Sequence, residues 1–356
     1  MRGRSVEENM SGIGFESVIG QKLAVAHLQN ALRTNRLSQA YLIHGEKGAG
    51  KKALARALAA VLVCEQPADR NGLLEPCGCC PSCRQMKAGT HPDVILVSNE
   101  RVGAAAKTTT LGVSAARFIQ SDAALKPYQS SYKIYVVPNA ERMSQQAQNA
   151  LLKTLEEPPA YVVLLLLADN LAAFLPTILS RCITIQLHPA PEKELVRALE
   201  EYNVRGARAL TLARLSHGNP GRCLALADGE AENFRRDLIT FMKKLKESDS
   251  HKILLYAQKL AGDKETKDTC MDDFLDIGRS WYRDLLVMKS TQSPENLIFQ
   301  DEIPYIRSTA VTLSYQGLHQ SLEAFDDAQR RRKSRENDVQ VAELLLLKLR
   351  RVLRSC

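Results

Sequence analysis

Residues 40–52 read AYLIHGEKGAGKK, and this stretch decides the fold. The apolar residues 40–43 predict a strand. The pattern G-x-x-x-x-G-K then fills positions 45–51, ahead of an alanine- and leucine-rich helix at 53–63. Glycines allow backbone N–H groups to surround phosphate oxygens, and the lysine reaches the outer phosphates. The stretch therefore predicts a phosphate loop. The candidate nucleotide-binding residues are Gly45, Gly48, Gly50, Lys51 and Lys52.

The last position of this loop is wrong for catalysis. A nucleotide hydrolase carries Ser or Thr there to bind Mg²⁺, whereas the ammonium of Lys52 has no lone pair and could only neutralise phosphate itself. The strand predicted before Pro138 runs into Asn139, where hydrolases carry acidic residues, and Glu141 comes too late. Two losses in one metal site predict that no Mg²⁺ binds and no ATP is hydrolysed. Nucleotide binding without turnover and an empty pocket are both left open.

Short apolar runs alternate with helical patterns in the first half of the chain, as a parallel sheet covered by helices requires. Helices are predicted at Ala53–Val63 and at Gln145–Leu155, and two prolines stop the second one. The predicted strands are Ala40–Ile43, Asp93–Val97, Lys133–Val137, Tyr161–Leu167 and Ile183–Leu187. After residue 191 only helical patterns follow. The last of these is predicted to place on one face Val341, Leu344, Leu345, Leu349, Val352 and Leu353.

These patterns predict three structural units. An α/β nucleotide-binding-like domain with a five-stranded parallel sheet covers residues 1–188 and includes a cysteine-rich module at 64–83. A small helical domain follows at 189–229. An all-α domain occupies 230–356, where no strand pattern is seen.

The composition fits a multidomain protein of the cytoplasm. The 356 residues exceed one typical domain, and no apolar run long enough to span a membrane or to act as a signal peptide is present. A formal net charge of +8 is compatible with nucleic-acid partners. The charge is spread along the chain except for Arg330–Lys333. This run could contact DNA or another subunit, but a solvated helix face is the simpler interpretation.

Cysteines cluster behind the phosphate loop. Cys64 ends the predicted helix, and residues 77–83 read CGCCPSC. Clustered cysteines in a reducing cytosol are typical of metal sites, and four thiolates are the usual ligands of structural zinc. Cys79 fits only with uneven spacing and is taken as a bystander. Free or redox-active thiols and a [4Fe–4S] cluster are the alternatives. The predicted zinc ligands are Cys64, Cys77, Cys80 and Cys83.

One arginine stands between a helical pattern and the last predicted strand, in the tripeptide Ser180-Arg181-Cys182. Arg181 could be an ordinary surface residue. Alternatively, its guanidinium could contact the nucleotide of a neighbouring subunit and stabilise the charge of the transferred phosphoryl group. The spacing alone leaves both possibilities open.

Several stretches together resemble the delta-prime subunits of bacterial DNA polymerase III, which belong to the AAA+ clamp loaders. They cover the first 190 residues closely, and the helical remainder agrees in layout. Besides the phosphate loop and the cysteines, they are FESVIGQ at 15–21, GTHPD at 89–93, NALLKTLEEPP at 149–159 and SRC at 180–182.

The resemblance implies an AAA+ module, a helical lid and a collar that assembles a five-subunit ring. The implied function is that of a rigid, non-hydrolysing stator that presents Arg181 to a neighbouring ATPase subunit, with Ser180 and Cys182 completing the motif. The implied partners are tau/gamma ATPase subunits and the delta clamp-opening subunit. The sliding clamp and primed DNA would be met through the complex, associated with the replisome. Asp169-Asn170 falls where AAA+ ATPases carry a polar sensor, and Arg222 lies one residue from the position of their sensing arginine.

Two other functions compete with this hypothesis. An ATP-hydrolysing subunit of the tau/gamma type shares the cysteines and Ser-Arg-Cys, but it needs Thr or Ser at position 52 and an Asp-Glu pair at 138–139. An AAA+ motor that binds DNA, such as a branch migration protein, is disfavoured by the cysteine module and by LEEPP at 155–159.

Overall fold

The computed structural model describes residues 12–98, 110–261 and 267–355. Residues 1–11, where a signal peptide would lie, are outside these ranges. No helix in the described part of the chain is long and apolar enough to cross a membrane. The chain divides into two compact units, residues 1–195 with 218–222 and residues 196–217 with 223–356. The boundaries of the three predicted domains stay a prediction.

Five strands form one parallel sheet, and two short strands form a separate antiparallel hairpin. The strands are β1 (Ala40–His44), β2 (Ala68–Arg70), β3 (Leu73–Glu75), β4 (Val94–Leu96), β5 (Lys133–Val137), β6 (Val162–Ala168) and β7 (Ile183–Gln186). The order across the large sheet is β4-β5-β6-β1-β7, with all neighbours parallel. The predicted five-stranded parallel sheet is thereby confirmed, with strand bounds that differ from the predicted ones by no more than one residue. The hairpin of β2 and β3 was not predicted.

Helices cover both faces of the sheet, and every element of secondary structure described after β7 is helical. They are α1 (Lys22–Arg33), α2 (Lys51–Val63), α3 (Pro81–Ala88), α4 (Val113–Ala123), α5 (Gln145–Glu156), α6 (Pro176–Leu179), α7 (Glu192–Glu201), α8 (Gly206–Leu215), α9 (Pro220–Ala227), α10 (Gly229–Lys244), α11 (Ser250–Ala261), α12 (Lys267–Thr291), α13 (Ile303–Thr312), α14 (Tyr315–Lys333) and α15 (Asp338–Ser355). Short 3₁₀ turns lie at Phe15–Ser17, Ala140–Arg142, Leu171–Ala173 and Leu245–Glu247.

Side chains of each central strand alternate between two apolar layers. In β6, whose sequence is VVLLLLA, every residue is buried. Val163, Leu165 and Leu167 pack with α1 and α2, whereas the intervening residues pack with α4 and α5. A strand buried on both faces needs an uninterrupted apolar run, and this is why the sequence revealed it.

The last helix, α15, differs in one detail from the predicted apolar face. Val341, Leu345 and Leu349 are buried as expected, but Leu344 is 43% exposed. Ala342 and Leu346 are buried in its place. The buried stripe therefore follows positions i, i+1, i+4 and i+5, because α11 and α14 pack on two sides of this helix.

The GTHPD segment has a structural role at its last residue. The buried carboxylate of Asp93 accepts hydrogen bonds from the backbone N–H groups of Tyr128, Gln129 and Ser130 at 2.5–2.9 Å. It also accepts the hydroxyl of Ser130 at 3.0 Å. Burial acts to raise the pKa of Asp93, but these four donors outweigh it and hold the pKa below its usual range. Asp93 thereby fixes the loop that leads into β5.

We expect Asp93→Asn to lower the free energy of unfolding by about 1.5–3 kcal/mol, because the amide nitrogen replaces one of the two accepting oxygens and the negative charge that strengthens the remaining hydrogen bonds is lost. Since the folded pKa is lowered, the stabilisation is complete above the ordinary value near 4 and is lost as the pH falls through the folded value. Denaturant unfolding at pH 7 and at decreasing pH measures both effects. The exposed Asp326, paired with Arg279 at 3.1 Å, provides the control Asp326→Asn, which should stay within about 0.5 kcal/mol.

Candidate functional site

The phosphate loop lies where β1 ends and α2 begins. Gly48 and Gly50 adopt positive φ angles of 88° and 100°, a conformation that glycine reaches without strain. Helix α2 starts directly at Lys51, two residues earlier than predicted. The predicted loop therefore has the expected strand–loop–helix setting.

Lys51 makes its bonds within the chain. Its ammonium donates to the carbonyl oxygens of Gly45 at 2.6 Å and Glu46 at 2.8 Å, and to Oδ1 of Asp169 at 2.6 Å. An ammonium group has three donors, so these three bonds use all of them. Lys51 would have to exchange these partners before it could contact a phosphate.

Sheet geometry explains why Asp169 meets the loop. Strands β1 and β6 are parallel neighbours, with His44 opposite Ala168. The residues that follow them, Gly45 and Asp169, must therefore lie side by side. The sequence placed Asp169 only at a sensor position, and its ion pair with Lys51 was missed because the strand order is not visible in the sequence.

The metal-binding positions lack suitable ligands. The side chain of Lys52 stands on the first turn of α2 and is exposed. Pro138 and Asn139 follow β5, and Asn139 adopts a left-handed backbone with φ of 50°. Glu141 accepts a hydrogen bond from the backbone N–H of Asp169 at 3.3 Å. The loop thus has phosphate-binding geometry but no carboxylate or hydroxyl at the two positions that hold Mg²⁺ in hydrolases.

Residues 218–222 pack directly on the loop. The amide of Asn219 donates to the carbonyl of Lys47 at 2.7 Å, and the N–H of Gly221 donates to the carbonyl of Gly48 at 2.9 Å. A Cβ atom at Gly48 would lie 2.4 Å from Oδ1 of Asn219, so only glycine fits there. Arg222 follows in α9, and its backbone N–H donates to Asn219 at 3.0 Å. These contacts hold the loop in one conformation.

Arg181 lies at the end of the sheet where the strands begin, and the phosphate loop lies at the other end. Arg181 precedes β7, and the start of β7 pairs with Tyr41 near the start of β1, whereas the phosphate loop follows the end of β1. β1 has five residues and therefore spans about 16 Å, and this length separates the end of the sheet with Arg181 from the end with the phosphate loop. About a third of the Arg181 side chain is exposed, and Nη2 lies 2.7 Å from Oε1 of Glu156. Arg181 therefore points away from the phosphate loop of its own chain.

The flanking residues of this arginine anchor it. Cys182 is buried in the apolar layer beside α5, and burial raises its pKa to about 11, so the thiol is neutral at pH 7. Ser180 donates its hydroxyl to the carbonyl of Thr177 at 3.2 Å. The tripeptide is held by Cys182 and Ser180 and presents Arg181 at the surface.

The four predicted metal ligands converge. The Sγ atoms of Cys64, Cys77, Cys80 and Cys83 all lie within 4.8 Å of one another. Two of the separations are 3.8 Å and 3.6 Å. Tetrahedral zinc with Zn–S bonds of about 2.3 Å places sulfur atoms about 3.8 Å apart. The residues present therefore fit a closed, four-thiolate zinc site, and Cys79 is exposed and outside this set.

Backbone donors and burial shift the pKa values of these thiols in opposite directions. The N–H groups of Cys79 and Cys80 lower the pKa of Cys77 to about 6. Burial raises the pKa values of Cys64 and Cys83. A coordinated cation supplies the charge that keeps buried thiols deprotonated. Cys64 caps the C-terminal end of α2, and Cys80 caps the N-terminal end of α3, so two helices and the hairpin position the four thiols.

The basic run at the end of α14 is largely paired within the chain. Arg331 Nε lies 3.2 Å from Asp327, Arg330 lies 3.9 Å from the same carboxylate, and Arg332 pairs with Asp272 and with Asp338. Cations are also favourable at a helix C-terminus. The described contacts give this run a structural role and do not point to a DNA surface.

Comparisons with known proteins agree with these features. The family model for "DNA polymerase III, delta subunit" matches residues 20–191. The delta' subunit of Bacillus subtilis (strain 168) is 29% identical over 323 residues, which are 90% of this chain and 94% of that protein. The chain is thus similar to delta' subunits of DNA polymerase III, in one case over 90% of its length. The resemblance seen in the sequence is thereby confirmed.

Two further relatives match only part of the chain. The delta' subunit of Escherichia coli (strain K12) is 36% identical over 207 residues, 58% of this chain and 59% of that protein. The tau subunit of the same organism is 34% identical over 220 residues, 60% of this chain but only 32% of tau. The similarity to tau thus concerns about a third of that protein, and the identity values alone do not separate delta' from tau.

Proposed function

We propose that this chain is the non-hydrolysing stator of a sliding-clamp loader and donates Arg181 in trans to the nucleotide of a neighbouring ATPase subunit. The partners in this proposal are tau/gamma-type ATPase subunits and a delta-type subunit in a five-membered ring in the cytoplasm. Clamp and primed DNA are engaged through the complex. Residues 1–188 would serve as the AAA+ module, 189–229 as the lid and 230–356 as the collar.

The position of Arg181 is the observation that carries the proposal. Its side chain lies at the end of the sheet where the strands begin, while the phosphate loop lies at the end where the strands stop. An arginine in this place cannot serve its own phosphate loop, but it is available to a subunit that docks on this end of the sheet. Guanidinium groups suit this task because they stay charged and bind phosphate oxygens in pairs.

The lack of Mg²⁺ ligands at the positions that hydrolases use supports the stator over the tau/gamma-type alternative. Lys52, Pro138 and Asn139 offer no carboxylate or hydroxyl ligand for Mg²⁺. The ion pair of Lys51 with Asp169 further opposes nucleotide binding. A delta'-like identity is also favoured because the match to the Bacillus subtilis delta' subunit extends over 94% of that protein.

We expect the purified chain to show no Mg²⁺-dependent ATP hydrolysis above background. Lys52→Thr should stay inactive as well, because the positions after β5 would still lack carboxylates. Phosphate release by the purified chain measures both, with a tau/gamma-type subunit as the active control. Clear turnover by the unmodified chain would contradict the stator proposal and favour the ATPase alternative.

A further inference from the structure

Arg181 is bonded within its own chain at both terminal nitrogens. Nη2 forms the ion pair with Glu156 at 2.7 Å. Nη1 donates to the carbonyl of Thr177 at 3.1 Å and lies 3.4 Å from the hydroxyl of Ser180. A phosphate that binds this guanidinium in the usual paired geometry must therefore displace at least one of these acceptors.

The position of Glu156 at the C-terminal end of a helix favours a cation beside its carboxylate. It is the last residue of α5, where the unpaired carbonyl groups of the helix create negative potential. A carboxylate at that end is unfavourable unless a positive group offsets it. Lys153 adds positive charge in the same last turn, but the ion pair of Glu156 is with Arg181. Both side chains of this pair line a cavity of about 170 Å³ together with Ser38 and Gln39.

The ion pair of Arg181 and Glu156 is exposed enough for Arg181 to exchange Glu156 for another anion. The side chains of Arg181 and Glu156 keep 35% and 49% of their surface accessible. Ion pairs at such exposure shift an equilibrium by only about 1.5- to 5-fold. A nucleotide phosphate carries more charge than one carboxylate and offers several oxygens, so it can displace Glu156.

We infer that Glu156 is a positioning residue that holds Arg181 against its own subunit until the phosphates of a neighbouring nucleotide compete for the guanidinium. The inference rests on the proposed role of Arg181 in trans. Glu156 then sets the nucleotide concentration at which Arg181 engages, but not the rate once it has engaged.

The first test uses the full chain alone and reports on the ion pair. The arginine reagent phenylglyoxal is followed at the peptide that contains Arg181 by mass spectrometry. Glu156→Gln should raise the modification rate of Arg181 about two- to five-fold. The control is Glu157→Gln, since Glu157 is the exposed neighbouring carboxylate and has no ion pair in the described part of the chain. Equal rates in all three proteins would overturn the inference.

The second test uses the complex reconstituted with ATPase and clamp-opening subunits. Glu156→Gln should lower the KM for ATP about two- to five-fold and leave kcat unchanged, while Glu157→Gln changes neither. A lower kcat in Glu156→Gln would mean that Glu156 supports the engaged state, and the holding role would be wrong. Failure of the proposed function looks different: Arg181→Ala would leave kcat intact even if phenylglyoxal reacted faster with Glu156→Gln. That pattern would show that Arg181 does not act on a neighbouring nucleotide, and the proposed role of Glu156 would then be wrong as well.

Discussion

Arg181→Ala should reduce hydrolysis at the neighbouring ATPase site by about 10³-fold or more, the usual contribution of an arginine supplied in trans. The guanidinium would neutralise charge on the transferred phosphoryl group, and alanine leaves this charge uncompensated. Total DNA-stimulated ATP turnover by the reconstituted complex should fall by the share of that one site. Single-turnover phosphate release measures the effect, because it resolves the slow site from the others.

The fold of the variant is expected to survive. Arg181 is partly exposed, and the anchoring residue Cys182 is untouched. Circular dichroism and assembly of the complex check this. Arg181→Lys is the matched variant: it keeps the charge but loses the paired geometry, so it should recover only part of the rate. Normal turnover by a properly assembled Arg181→Ala complex would show that the assignment is wrong.

The sequence predicted the parts of this molecule that are encoded locally. The phosphate loop follows from glycine spacing, and β6 follows from an apolar run buried on both faces. The cysteine spacing predicted that the thiols of residues 77–83 converge, because tight turns bring such residues together. The hairpin of β2 and β3 could not be predicted from the sequence, because its three-residue strands show no alternating pattern and β2 is fully exposed.

Contacts that depend on strand order could not be predicted in the same way. The pair of Lys51 and Asp169 needs β1 beside β6, and the pair of Arg181 and Glu156 needs the end of α5 beside the start of β7. Both acidic residues were visible in motifs, yet their partners lie 118 and 25 positions away. These two pairs change the chemistry most, because one occupies the phosphate-loop lysine and the other holds the arginine.

The cysteine module supports more of the protein than its own loop. The carboxylate of Glu75, two residues before Cys77, accepts the backbone N–H groups of Phe15 at 2.9 Å and Glu16 at 2.8 Å. The amide of Gln29 in α1 exchanges two hydrogen bonds with the backbone of Leu74 at 2.7 and 3.1 Å. Loss of the metal should therefore loosen the start of the α/β domain as well as the module.

Cys83→Ser should remove zinc and lower the melting temperature by about 10 °C. Structural zinc contributes roughly 10–16 kcal/mol in isolated peptides, and a third of this would produce such a shift in a domain of this size. Metal analysis should give about one zinc per chain before the substitution and none after it. Hydrogen exchange should show lost protection at the amides of Phe15 and Glu16, because their acceptor Glu75 is no longer held in place.

Cys79→Ser is the matched control, because Cys79 is an exposed thiol in the same turn, 3.7 Å from Cys77 but outside the four-thiol set. It should keep the zinc, the melting temperature and the protection of Phe15. Equal zinc loss in both variants would mean that the ligand set includes Cys79. Zinc-free, fully reduced protein with an unchanged melting temperature would refute the metal site itself. If zinc left Cys83→Ser but the amides of Phe15 and Glu16 stayed protected, the module would be a separate appendage and Glu75 would be held by packing alone.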